Sequence, residues 1–227
     1  MKHFISIAID GPAGAGKSTM ARAVAKELGY VYVDTGAIYR TVGYYIQLCG
    51  IGPRDVDSVT RLIDEVNVEL RYPEDGVQHM ILNGQDVTDE IRSPEMSDYA
   101  SKLSTLEVVR DFLLNVQRDM ARTHNVVMDG RDIGTVVLPD ADVKIYLTAS
   151  AEVRARRRLA EFQAKGDKKM SYETVLRDIR QRDDRDMNRK IAPLRCAKDA
   201  VRLDTSELTI AQSVDAIKEI VEKRLGR

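Results

Sequence analysis

The sequence predicts an α/β fold of three layers, a five-stranded parallel sheet between helices, with a small antiparallel sheet inserted. Three observations carry this. Short apolar runs alternate with amphipathic helical stretches, as in a parallel sheet covered on both faces. Between the first run and the first helix stands GPAGAGKST, residues 11–19, which fits G-x-x-x-x-G-K-[ST], the phosphate-binding loop. Residues 65–90 switch to a period of two around turn sequences.

The elements follow in order. Phe4, Ile5, Ile7, Ala8 and Ile9 form a strand apolar on both faces, as burial in a parallel sheet requires. After the loop, Met20, Ala21, Val24, Ala25 and Leu28 mark a helix whose positive end points at the same spot. Residues 31–34 make a second strand, and a helix runs from about 37 to 48. Val66, Val68 and Leu70 alternate with polar residues, 73–76 turn the chain, 77–82 return, and Asn83-Gly84 is a hairpin turn. Ser93 and Pro94 read as the cap and first turn of another helix. Helices are expected at about 107–123, 151–163, 172–188 and 210–225, and strands at 126–129, 143–147 and 200–203. In the last helix Ile210, Val214, Ile217, Val221 and Leu225 fall on one face.

Composition narrows the function. The 227 residues allow one large domain with insertions, and 43% apolar content supports a core. A net charge of −1 argues against bulk binding of nucleic acid. Cys49 and Cys196 stand alone and the three histidines are scattered, so neither a redox pair nor a zinc site is suggested. The first apolar run is too short for a membrane span or signal peptide, which leaves a cytoplasmic protein with no membrane partner as the expectation.

The loop fixes the chemistry class. Gly11, Pro12, Ala13, Gly14, Ala15, Gly16, Lys17, Ser18 and Thr19 are expected to line the polyphosphate of a nucleoside triphosphate. Lys17 should reach the β- and γ-phosphates, and the Ser18 hydroxyl should meet Mg²⁺. Asp34 to Arg40, DTGAIYR, sits past the second strand, where ligands bind in open α/β sheets; Thr35 and Gly36 open the helix, and Arg40 suits the phosphate of a second ligand. Asp129-Gly-Arg-Asp132 ends the third strand; Asp129 is placed to orient Mg²⁺-bound water, and Arg131 and Asp132 project into the same crevice. Arg154, Arg157 and Arg158 share a helix face, followed by a break at 163–167 that suits a mobile flap; Arg182, Asp186 and Arg189 share a face of the next helix.

So many arginines bear on the acceptor. A hydroxyl acceptor needs a base to take its proton. A phosphate monoester has a second pKa near ~6, is already an anion at neutral pH, and needs positive charge instead. The chain offers a surplus of arginines and no obvious base motif, and it has no Asn-Lys-x-Asp guanine-reading motif.

GPAGAGKST, DTGAIYR, DGRDIGTVVLPDADVKIYL, the R-A-R-R-R helix and RDDRDMNRKIAPL together resemble the bacterial cytidylate kinases, in the long form with an inserted antiparallel sheet, over about residues 5–204. The resemblance implies a core of 1–35, 105–150 and 168–227, a monophosphate-binding region at 36–104 and a lid at 151–167. It implies ATP and CMP or dCMP as substrates, with Mg²⁺. It puts the CMP phosphate with Arg40, Arg131 and Arg189, beside Thr35. Ribose falls to Arg182 and Asp186, and cytosine to Ser101, Arg110 and Asp132. Lys17, Arg131 and the lid arginines Arg154, Arg157 and Arg158 would act on the transferring phosphoryl. A monomer is expected. A kinase for another monophosphate such as UMP, or a non-catalytic nucleotide-binding module, remains open from sequence alone.

Overall fold

A computed structural model gives the element order β1 (Ser6–Asp10), α1 (Lys17–Leu28), β2 (Val31–Asp34), α2 (Thr35–Leu48), α3 (Val56–Leu62), β3 (Val68–Arg71), β4 (His79–Leu82), β5 (Gln85–Asp86), α4 (Pro94–Leu103), α5 (Glu107–Thr123), β6 (Val126–Gly130), β7 (Val143–Thr148), α6 (Ala151–Ala164), α7 (Tyr172–Asn188), β8 (Val201–Asp204) and α8 (Ile210–Leu225). The structure describes residues 3–74, 76–164, 166 and 170–226. Outside them fall Asp75 of the expected turn, Lys165 and Asp167 of the expected flap and lid, Lys168 and Lys169 of the last core segment, and the first two and final residues.

The main sheet is parallel throughout, in the order β2-β6-β1-β7-β8. Because side chains alternate across a strand, the sheet feeds two cores. Ala8, Val33, Val126 and Met128 pack on one face with Ile38 and Val42 of α2 and Leu113 of α5. Ile7, Ile9, Val127, Ile145 and Leu147 pack on the other with Val24 of α1 and Ile217 and Val221 of α8. A smaller cluster, Ala155 with Val175 and Ile179, joins α6 to α7.

Each expected strand is present, with ends moved by one or two residues. β6 runs on to Gly130 and β7 to Thr148, while β8 starts one residue late. α2 begins at Thr35, two residues earlier than apolar spacing suggests, because the Asp34 carboxylate accepts the Ala37 N–H and caps it. The insert is a three-stranded antiparallel sheet, β3-β4-β5. Asn83 and Gly84 both have positive φ, 47° and 87°, the geometry of a two-residue hairpin turn and the reason for Asn-Gly there. Ser93 caps α4 by accepting the Met96 N–H, with Pro94 in the first turn. Two features that shape the fold have no counterpart in the sequence reading: α3, capped by Asp55, and a wide helical turn at Ile133–Val137.

Candidate active site

The carboxyl ends of β1, β2 and β6 open into a crevice of about 1160 Å³ bounded by α4, α6 and α7. Single-ligand pockets run roughly 300–1,000 Å³, so this one has room for two nucleotides. It lies where the chain order reverses about β1, with β6 on one side and β7 on the other.

The loop after β1 is held hard against the sheet. Gly11 has φ +150°, and a Cβ there would lie 1.9 Å from the Leu147 carbonyl oxygen of β7, so no larger residue fits. Gly16 precedes α1 in the left-handed region, and no side chain caps the helix. Its first N–H groups are therefore left for an anion. Lys17, 5% exposed, donates from Nζ to the Pro12 carbonyl at 2.8 Å. Burial first, and the Arg131 charge second, push its pKa down to about 7.

That depression has a measurable consequence. The free protein holds Lys17 neutral far more readily than an exposed lysine, and a polyphosphate beside it favours the charged form. ATP binding at pH 8 without metal is expected to be accompanied by net proton uptake, by the same titration logic. Calorimetry in buffers of differing ionisation enthalpy measures this; heats independent of the buffer would refute it.

Asp129, at the end of β6, accepts from the Ser18 hydroxyl at 3.0 Å and from the Tyr32 phenol at 2.8 Å, while Thr35 donates to its backbone carbonyl at 2.7 Å. Burial, then the nearby Asp34, raise the Asp129 pKa. A hydroxyl and a carboxylate side by side are hard oxygen donors of the kind Mg²⁺ accepts. No group of three or more His, Cys, Asp or Glu suited to a metal occurs among the described residues. A divalent ion here would thus take most of its ligands from phosphate and water.

Across the crevice, Arg40 Nη2 meets Asp34 at 3.1 Å and Arg131 Nε meets Asp186 at 2.8 Å. Asp132, 6% exposed, is clamped between two buried arginines: Arg110 on one oxygen and Arg189 on the other, the latter at 2.9 Å. Ser101 accepts from Arg185 at 3.2 Å. Burial, then Arg131, bring the Arg182 pKa down to about 10. Although burial alone would raise it, Arg131 and Arg182 hold the Asp186 carboxyl below its usual range. The Nε atoms of Arg40 and Arg182 are buried with no hydrogen-bond partner among the described residues.

The arginines expected on the lid differ in their surroundings. Arg154 is buried and forks onto Asp183 at 2.6 and 3.0 Å, with further bonds to the carbonyls of Ala13 and Ala149. It ties α6 to the phosphate loop and to α7 rather than standing free. Arg157 donates to the Thr205 carbonyl at 2.7 Å; Arg158 pairs with Glu161 at 2.9 Å and lies over the Phe162 ring. All three line the crevice.

Several residues of the site went unnamed in the sequence reading. Asp183 and Arg185 lie inside the quoted RDDRD run, where helical spacing picked out only 182, 186 and 189. Tyr32 hides in a strand pattern that reads as packing. Asp10 ends β1 and accepts the N–H groups of Ile133 and Gly134, both at 2.8 Å, so it fixes the turn that follows Arg131 and Asp132. Burial raises its pKa to about 6. Its position directly before the loop was the available signal.

Comparison with known proteins adds a family. The model of the family described as Cytidylate kinase matches residues 7–223. The chain is 46% identical to the cytidylate kinase of Caldicellulosiruptor saccharolyticus, covering 98% of this chain and 97% of that one. It is 48% identical to the cytidylate kinase of Carboxydothermus hydrogenoformans, covering 96% and 97%. Among solved structures, an uncharacterized protein from Eubacterium ventriosum shares the fold, with TM-score 0.52 at 12% identity over 96% of this chain and 98% of that one.

Proposed function

Since the chain belongs to the cytidylate kinase family, we propose that it transfers the γ-phosphoryl group of ATP to CMP and dCMP, giving ADP with CDP or dCDP. The observation that carries this reading is the charge of the crevice. Among the described residues, ten basic side chains line it against seven carboxylates. The carboxylates on its floor are already engaged: Asp34 by Arg40, Asp129 by Ser18 and Tyr32, Asp132 by Arg110 and Arg189, Asp186 by Arg131. A pocket built this way suits an acceptor that arrives as an anion and needs no base.

In this reading ATP lies along residues 11–19. Mg²⁺, when bound, neutralises charge on the phosphates; Ser18 would hold it directly and Asp129 through water. The acceptor phosphate is met by Arg40, Arg131 and Arg189 beside Thr35, the ribose by Arg182 and Asp186, and cytosine by Ser101, Arg110 and Asp132. An oxygen of that phosphate attacks the γ-phosphorus as its bond to the β-bridging oxygen breaks, and the electron pair leaves with ADP. Lys17, Arg131 and the lid arginines Arg154, Arg157 and Arg158 offset charge on the moving group. The described lid residues, 151–164, close over it and exclude water. The core and monophosphate-binding region are divided as the resemblance implies.

Outside the reaction, the reading is of a cytoplasmic monomer with no nucleic-acid or membrane partner. It is supported by the net charge of −1, by the lack, among the described residues, of any helix long and apolar enough to cross a membrane, and by the scatter of exposed apolar side chains (Leu48, Val56, Met187 and Ile210) over four helices.

Steady-state ADP release with ATP, Mg²⁺ and CMP, dCMP, UMP or AMP tests the activity. CMP and dCMP are expected to give the highest kcat/KM. UMP in first place, or ADP release indifferent to any monophosphate, would overturn it.

A further inference from the structure

β2 is the edge strand of the main sheet, so one side of its backbone lacks a strand partner. The insert covers that side with side chains. Gln78 accepts the Asp34 N–H on Oε1 at 2.8 Å and donates from Nε2 to the Asp34 carbonyl at 3.3 Å. Its amide thus mimics one rung of a neighbouring strand. Tyr72 donates to the Tyr32 carbonyl, two residues back, at 3.0 Å. Both side chains come from the connection between β3 and β4, and Gln78 is buried.

The residue that Gln78 grips is the point at which β2 becomes α2. The Asp34 carboxylate divides its two oxygens between the Ala37 N–H at 2.9 Å and Arg40 Nη2 at 3.1 Å. Next to it, Thr35 is bonded to the Asp129 carbonyl. Any shift of the Asp34 backbone is therefore passed to the α2 cap and to the Arg40 guanidinium. Among the described residues, none from 66 to 92 lines the crevice, so the insert gives no side chain to it. Its link to the site runs through Asp34.

We propose that Gln78 is a positioning residue for the acceptor phosphate, and that the antiparallel insert serves the reaction by fixing Asp34 and, through it, Arg40. The proposal rests on the reading of Arg40 as an acceptor-phosphate ligand. The amide does what a sixth strand would do, but only at the one residue whose placement the site needs. Met80 Sδ, 3.0 Å from Nε2, and the Tyr72 hydroxyl, 3.5 Å from Oε1, hold the amide in place.

The test is a double-mutant cycle on the full chain. Gln78→Leu keeps the bulk and removes both bonds to Asp34. It is expected to raise KM for CMP roughly 5- to 30-fold, the effect of two lost hydrogen bonds, while KM for ATP stays within about twofold. In an Arg40→Lys background the same change should raise KM for CMP by less than about twofold, because the guanidinium it positions is gone. Hydrogen exchange at the Asp34 amide should quicken in Gln78→Leu. Equal rises in both KM values, or the same rise with and without Arg40, would overturn the proposal. Should Gln78→Leu not fold, Gln78→Glu, which keeps an acceptor for the Asp34 N–H, enters the same cycle. Failure of the wild type to release ADP in response to CMP would instead refute the acceptor reading itself.

Discussion

Lys17→Ala is expected to lower turnover at saturating nucleotides by at least ~10²-fold, as removal of other preorganised charge-stabilising groups does. Its side chain is held by a bond from Nζ to the Pro12 carbonyl and by no carboxylate among the described residues, so it is poised rather than committed. In the free protein, burial and Arg131 push its pKa down to about 7. A pKa depressed in the folded state contributes stability that is present above the unfolded value of 10.5 and is lost as pH falls through about 7. Charging Lys17 at neutral pH therefore costs the ligand-free fold something, and the alanine variant escapes that cost. The variant should melt no lower than the wild type yet turn over far more slowly. That pairing separates a catalytic role from a structural one. Near-normal turnover would remove Lys17 from the mechanism.

Asp132→Asn is expected to narrow the ratio of kcat/KM for CMP over UMP by at least ~10-fold, given how strongly a site built on hydrogen bonds rejects a mismatched partner. A carboxylate has about four lone-pair positions. Arg110 and Arg189 occupy one on each oxygen of Asp132, which leaves acceptors free to receive the exocyclic amino group of cytosine. Uracil presents a carbonyl there, and two acceptors would face each other across a buried contact. An asparagine amide both donates and accepts, so it tolerates either base. It also turns a donor toward one of the arginines and leaves their charges less well balanced, so a lower melting temperature is expected as well. Because the ratio is internal to each preparation, loss of folded protein cancels from it. An unchanged ratio would rule Asp132 out of base reading.

Short-range signals carried most of the fold. The continuous apolar run through Ile7, Ala8 and Ile9 into a glycine-bearing loop, and the Asn83-Gly84 turn, are local signals, and the parallel sheet and the hairpin both stand where they put them. α3 was invisible because Val59 is its one buried side chain, too little for a helical period to show. The wide turn at Ile133–Val137 was invisible for another reason. It depends on Asp10, 123 residues away, to take its first N–H groups. For the site, residue types within motifs were legible and partnerships were not. The spacing of 154, 157 and 158 shows one shared face, yet Arg154 is drawn inward by Asp183, 29 residues on, while Arg158 stays near Glu161 and Phe162. Which of three similar arginines finds a carboxylate is decided by how α6 and α7 pack.

The seating of Gly11 against Leu147 has a consequence for anyone who wants to retarget this enzyme. The phosphate loop is bolted at Gly11 to the middle of the sheet. Ser101 and Arg110, by contrast, come from two separate helices, α4 and α5, and Asp132 from the turn after β6. If those three read the base, swapping one nucleobase for another is a problem for two helices and one turn, with the loop at residues 11–19 kept as an unaltered chassis.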